Sequence, residues 1–368
     1  MKTEPVLIDL RTRRRPGGFV PRRPSRPSRP STSPPSGGVA LTYQPAIDGL
    51  RGLAVAGVLF FHGGFSWAVG GYLGVSTFFT LSGFLITTLL LAEHSRTGGV
   101  SLRAFWGRRF RRLMPASLLT LAGIVLLFGP FVATADQLAE LPGDVLAALA
   151  YVANWRFIFA DQSYADLFTA PSPVQHFWSL AIEEQFYLFF PLLMAGLLAM
   201  GRGSRRVLVI ALGALAGLST VTMIALYTPG TDPARVYYGT ETRAVELLAG
   251  AVLAVVVAAR PQLVERLPRR FVTGVGVVVL LITAFWWSTV EQTSSWLYEG
   301  GLTIYAFSSV LLLSVVLQPG PIQRGLAAEP LRQLGRISYG VYLLHWPIFL
   351  WLTPERTGLD TVPLFVLR

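Results

Sequence analysis

From residue 49 to residue 352 the chain repeats one pattern, an apolar run of about twenty residues followed by a short polar loop. A helix of about twenty residues spans the ~30 Å hydrocarbon core of a bilayer. Backbone groups inside hydrocarbon must be satisfied within their own segment or by a closed barrel, so runs of this length dictate helices. The expected fold class is all-α, a polytopic transmembrane helix bundle. Composition agrees, with 52% of the 368 residues hydrophobic and only 14% charged, and a mean hydropathy of +0.52. That balance excludes a soluble enzyme with a large core.

The formal charge of +11 does not mark a nucleic-acid binder. The basic residues gather in the N-terminal tail and a few interhelical loops, as the positive-inside rule requires of cytoplasmic segments. Residues 1–44 are rich in Arg, Pro, Ser and Gly without hydrophobic periodicity and are expected to form a disordered cytoplasmic tail beside membrane lipid. Residues 45–368 then make up the membrane domain. The absence of cysteine excludes disulfides, thiolate metal sites and a cysteine nucleophile, and the four histidines show no zinc-binding spacing.

With the N-terminus inside, nine spans are expected, at about 49–68, 72–92, 113–132, 177–200, 207–227, 239–259, 271–289, 301–317 and 335–352. The loop EHSRTGGVSLRAFWGRRFRRL, with six arginines, falls on the cytoplasmic side, and the acidic TADQLAELPGD falls outside. The segment AALAYVANWRFIFA (147–160) is too short to cross. Counting it as a span would also put the basic turn GRGSRR outside, so it is expected to lie on, or dip into, the outer face.

The first two spans, from Asp48 to Ile86, carry only three ionisable side chains, Asp48, Arg51 and His62. Arg51 and His62 are eleven residues apart, about three turns, which places them near one helix face and ~16 Å apart along the axis. Asp48 can cap the helix and Arg51 can reach the cytoplasmic surface. An imidazole deep in a span is instead a functional-site signal. In FWGRRFRRLMP a helical turn gathers Arg108, Arg109 and Arg112, which suits a phosphate-bearing ligand or lipid phosphates. In QHFWSLAIEEQFYLFFP, Glu183 and Glu184 lie about two turns inside a span that starts at the outer face, a depth comparable with His62. They can orient the imidazole, bind a hydroxyl or pair with Arg243, which has Glu246 on its own face. In LGRISYGVYLLHWP, Ser338, Tyr339 and His345 line or flank the last span, with Trp346 and Pro347 suggesting an anchor or kink.

These phrases, with GGYLGVSTFFTLSGFLIT and TRAVELLAG, occur in an order that resembles the acyltransferase 3 family of integral membrane O-acyltransferases, from about residue 45 to 352. The resemblance implies transfer of an acyl group, usually acetyl, from cytoplasmic acyl-CoA to a hydroxyl of a glycan, lipid-linked sugar or related cell-envelope molecule. It implies no permanently bound cofactor; acyl-CoA is the donor substrate. Arg51 and His62 match the family's Arg and His of the first span, Arg108, Arg109 and Arg112 its cytoplasmic arginine motif, and Glu184 its WSLxxEEQFY phrase. Ser76 stands where the family usually has Asp. The family has one further membrane helix after this region, making ten spans.

The expected mechanism docks the acyl-CoA phosphates on Arg108, Arg109 and Arg112 and threads the pantetheine arm past Arg51 toward His62. There His62 acts as general base or nucleophile, with Glu184 orienting the imidazole or the acceptor. The rival readings are a transporter of a lipid or glycan precursor and an inactive binding subunit.

Overall fold

The structure, a computed structural model, describes residues 43–159, 171–260 and 267–368. The tail expected over 1–44 thus lies, up to residue 42, outside the described residues. Every regular element among the described residues is helical. Helix α1 (Pro45–His62) leads through two 3-10 turns, Ser66–Ala68 and Gly71–Leu73, into α2 (Gly74–Thr97). Helix α3 (Leu102–Gly123) runs on through a π turn, Ile124–Phe128, and is followed by α4 (Ala135–Leu149) and α5 (Ala153–Phe159). Next come α6 (Phe177–Met200), α7 (Arg205–Leu226), α8 (Ala234–Tyr238), α9 (Thr240–Ala259) and α10 (Arg269–Thr289). The last elements are α11 (Leu302–Val316), α12 (Pro321–Leu326), α13 (Glu329–Trp351), α14 (Pro354–Thr357) and α15 (Thr361–Leu367).

Seven helices among the described residues are long and apolar enough to cross a membrane, rather than nine. The difference lies in α1 and α13. They are 18 and 23 residues long, but Asp48, Arg51 and His62 in one, and Arg332, Arg336 and His345 in the other, dilute their apolar content. Helices α7 and α10 leave Ile210, Leu218, Val221, Val278, Leu281 and Phe285 exposed, an apolar surface suited to lipid rather than water.

Of the stretch 147–160, residue 160 lies outside the described residues, and 147–159 does not form one span-length helix. A capping box starts α4, with Thr134 Oγ1 accepting from the Gln137 amide and Gln137 Oε1 from the Thr134 amide. The chain then breaks at Tyr151, which has a left-handed φ of 55°. That break is held from within the bundle, because Gln185 Nε2 donates to the Tyr151 carbonyl at 2.7 Å.

Helix α3 begins at Leu102, well before the expected 113, so the arginine-rich segment is the first part of a long helix rather than a loop. Helices α1 and α13 pack so closely that a Cβ on Gly52 would stand 2.1 Å from the Leu331 carbonyl, and one on Gly335 would stand 1.6 Å from that of Asp48. The backbones touch there, which only glycine permits. Ten residues further along each helix, His62 meets His345, so the two run parallel and in register.

Candidate active site

A cavity of about 300 Å³ opens between α1, α2, α3, α6 and α13. Its charged lining is Asp48, Arg51, Arg109, Arg112, Glu183 and Glu184, and its hydroxyl lining includes Ser82, Ser179, Tyr187, Ser338, Tyr339 and Tyr342. Three guanidinium groups and three carboxylates thus share one chamber, well placed for charge-assisted bonds to a polar ligand.

Arg51 donates from Nη2 to Ser338 Oγ at 3.1 Å and from Nε at 3.4 Å. Ser338 lies about one turn beyond Gly335, the residue against Gly52. The guanidinium is therefore carried into the cavity rather than back toward the start of α1. At that start Tyr43 donates to Asp48 Oδ2 at 2.6 Å. Burial, and then the bond to Asp48, push the Tyr43 phenol up from its ordinary range, which keeps it a donor.

The arginine cluster separates on the surface of α3. Arg109 faces the cavity over the rings of Tyr187 and Phe105, 5.4 and 5.7 Å from their centroids, and exposed Arg112 stands at the cavity wall. Arg108 turns away to Glu93, 3.6 Å off, and is not part of the lining. Arg109 and Arg112 share the cavity face, and Arg108, about 100° around the helix from Arg109, lies on the far side of Arg112.

Glu183 accepts from Ser82 Oγ at 2.5 Å, and Tyr187 donates to the same hydroxyl at 3.0 Å. Neither glutamate pairs with Arg243. That arginine is bound to Glu246 Oε1 and Oε2 at 3.1 and 3.2 Å, to the Tyr237 carbonyl at 3.1 Å and to Ser76 Oγ at 3.0 Å. Ser76, in the place of the usual Asp, thus accepts from an arginine whose carboxylate partner is supplied one turn along its own helix. Arg243 and Glu246 are 1% and 0% exposed and lie outside the cavity.

His62 is not in the cavity lining either, and its depth differs from that of the glutamates. His176, at the start of α6, packs against His345 with ring centroids 5.7 Å apart, and His345 against His62 at 5.1 Å. Glu183 and Glu184 follow His176 by seven and eight residues, which puts them ~10–12 Å further in. They flank the Arg51 end of the site, and the group that meets the His62 imidazole is His345, whose Nε2 lies 3.2 Å from His62 Nδ1.

The histidines are set by α13. Pro347 has no N–H to give the Leu343 carbonyl, and that acceptor instead takes His176 Nε2 at 3.0 Å. His345 Nδ1 donates to the Tyr342 carbonyl at 2.7 Å. The Tyr342 hydroxyl, 2.6 Å from Ser179 Oγ, lines the cavity, and the carbonyl of the same residue holds His345. His176 and His345 are buried, whereas His62 keeps part of its surface accessible. Among the described residues no group of three or more His, Cys, Asp and Glu side chains is arranged to hold a metal ion.

His176 is the residue that reading the motifs overlooked. Its signal was Pro347, since a proline inside a span leaves a carbonyl that some other side chain must satisfy.

A membrane bundle that holds an arginine-lined chamber and, linked to it through Tyr342, an imidazole cluster has the parts of a group-transfer enzyme. The chain belongs to the acyltransferase 3 family, whose acyltransferase domain matches residues 44–367. It is 42% identical over 315 residues to the peptidoglycan O-acetyltransferase OatA of Listeria monocytogenes, covering 85% of this chain and 50% of that protein. It is 40% identical over 321 residues to a putative peptidoglycan O-acetyltransferase, YrhL, of Bacillus subtilis, with the same coverage. Against the O-acetyltransferase OatA of Staphylococcus aureus (strain NCTC 8325 / PS 47) the identity is 36% over 318 residues, 84% of this chain and 51% of that one. The chain thus spans about half the length of the curated relatives it matches. No solved structure matches it.

Proposed function

We propose that this chain is the membrane part of an O-acetyltransferase that moves an acetyl group from cytoplasmic acetyl-CoA toward a hydroxyl of a cell-wall glycan. The names of its relatives supply the acceptor class, and the cavity supports the donor. Adding α1 and α13 to the seven apolar helices gives nine crossings. The N-terminus then lies in the cytoplasm, as its arginines favour, and the protein resides in the plasma membrane.

On this reading the CoA phosphates rest on Arg109 and Arg112, with Arg108 at the rim as a longer-range attraction only. The pantetheine arm follows α1 past Arg51, and the thioester stops at the Tyr342–Ser179 bond, which yields to admit it to His62. At His62 the imidazole takes the proton of the acceptor hydroxyl while the hydroxyl oxygen forms the new ester bond and the C–S bond breaks. The proton then passes to the departing CoA thiolate. In the alternative route the imidazole is itself acylated and hands the acyl group to the hydroxyl. Both routes need a basic ring nitrogen on His62. The observation that carries this reading is the continuity from Arg112 and Arg109 through Arg51 to Tyr342, whose carbonyl holds the histidine beside His62.

The test is acetyl transfer from labelled acetyl-CoA in membranes containing the full chain, with His62→Ala and Arg51→Ala at matched abundance. His62→Ala is expected to lose about 10²–10⁴-fold in turnover. Parental turnover in both variants sinks the proposal.

A further inference from the structure

Resting on the proposed transfer reaction, we infer that Glu184 is a donor-binding residue whose carboxylate accepts an amide N–H from the pantetheine arm of the acyl-CoA. Three carboxylates line the chamber, and the protein supplies a partner to two of them. Asp48 accepts from Tyr43 at 2.6 Å and Glu183 from Ser82 at 2.5 Å. Among the described residues no hydrogen bond or ion pair reaches Glu184, and the charge of Arg109 acts on it from beyond ion-pair distance. Glu184 is half-buried and faces the cavity. A ligand that fills the chamber takes this carboxylate out of solvent, and an unpaired charge is costly to bury. The ligand must therefore bring a donor of its own.

Depth decides which donor. Ser179, Leu180, Glu183, Glu184 and Tyr187 all face the cavity from α6. Glu184 follows Ser179, where the proposed route halts the thioester, by five residues, and precedes Tyr187, whose ring lies under Arg109, by three. It is thus ~7.5 Å along the helix from the thioester level and ~4.5 Å from the level of the phosphate-binding arginine. The part of acyl-CoA that lies between those groups is the uncharged pantetheine arm, with two amide N–H groups along its length and one hydroxyl at its phosphate end. An ionised carboxylate has acceptors alone, so it can meet the N–H groups of the arm and not its carbonyls. The same depth keeps Glu184 away from His62 and from an acceptor hydroxyl brought there.

Calorimetry on the purified full chain compares acetyl-CoA with two analogues in which each pantetheine amide in turn is an ester, so that oxygen replaces the N–H. The parent is expected to bind one analogue about 10–150-fold more weakly than acetyl-CoA. Glu184→Leu is expected to bind acetyl-CoA more weakly by a similar factor and to treat the three ligands alike, at a nearly parental thermal midpoint. Glu184→Gln, whose side-chain oxygen accepts a weaker, uncharged bond, is expected to lose most of the preference and serves where the leucine variant does not fold. Equal binding of all three ligands by the parent overturns the inference, and so does a preference that survives undiminished in either variant. Transfer of labelled acetyl groups is scored on the same preparations. The expected preference in a chain that transfers no acetyl group rejects the enzymatic reading and upholds the contact, whereas a parent that binds no acetyl-CoA overturns both.

Discussion

Two arginines, each with a serine and a glutamate nearby, sit inside this bundle in opposite circumstances. Arg243 is sealed. Its guanidinium has both oxygens of Glu246, a backbone carbonyl and Ser76, and the rings of Tyr237, Trp178 and Phe79 lie 4.7, 5.4 and 5.5 Å from its carbon. Arg51 bonds to Ser338, while Glu183, in the same chamber, bonds to Ser82. The same residue types make a closed structural pair in one place and a set of charges facing an open volume in the other. The difference teaches that an intramembrane ion signals function only where its donors are left facing space.

The contrast can be broken by mutation. The largest effect is expected from Glu246→Ala, which strands a buried guanidinium and should cost about 3–5 kcal/mol of stability. The protein should lose its folded peak on size exclusion and its thermal midpoint should drop sharply. Glu183→Ala should do neither, and equal destabilisation by both would erase the distinction. Next comes Arg51→Ala, for which a loss of about 1.5–3 kcal/mol in kcat/KM, roughly 10- to 150-fold, is expected at a nearly parental thermal midpoint. A collapse in stability would mean that Arg51 is as structural as Arg243.

Ser76→Ala removes one of the bonds to Arg243 and should cost about 0.5–1.5 kcal/mol of stability, visible as a small shift in midpoint with activity retained. The smallest effect is expected for Arg108→Ala, since an exposed pair with Glu93 contributes roughly 0–1 kcal/mol. Acetyl-CoA KM should hardly move in Arg108→Ala and should rise in Arg109→Ala. If the two variants raise it equally, the cavity does not mark the phosphate site.

Much of the site could be read from local periodicity. The register of Arg51 with His62 is a property of one helix, and so is the pairing of Arg109 with Arg112. What failed was long-range. The depth of Glu183 and Glu184 depends on where α6 starts relative to α1, which no spacing within QHFWSLAIEEQFY reveals. His345 was visible as an intramembrane histidine, but its meeting with His62 depends on how α13 is laid against α1. Arg108 was grouped with the other arginines by its four-residue spacing from Arg112, but spacing within one helix does not reveal that the cavity lies on the Arg109 side of Arg112.

The contact of Gly52 and Gly335 also predicts where damage will be felt. Because each glycine precedes its helix's histidine by ten residues, the pair acts as a datum from which the imidazole spacing is measured ~15 Å away. A single methyl group added at Gly335 meets the Asp48 carbonyl at 1.6 Å, and the two axes must part or slide to admit it. The fault would then surface at His62 and His345 as a lost hydrogen bond, in a protein whose candidate site side chains are all unchanged.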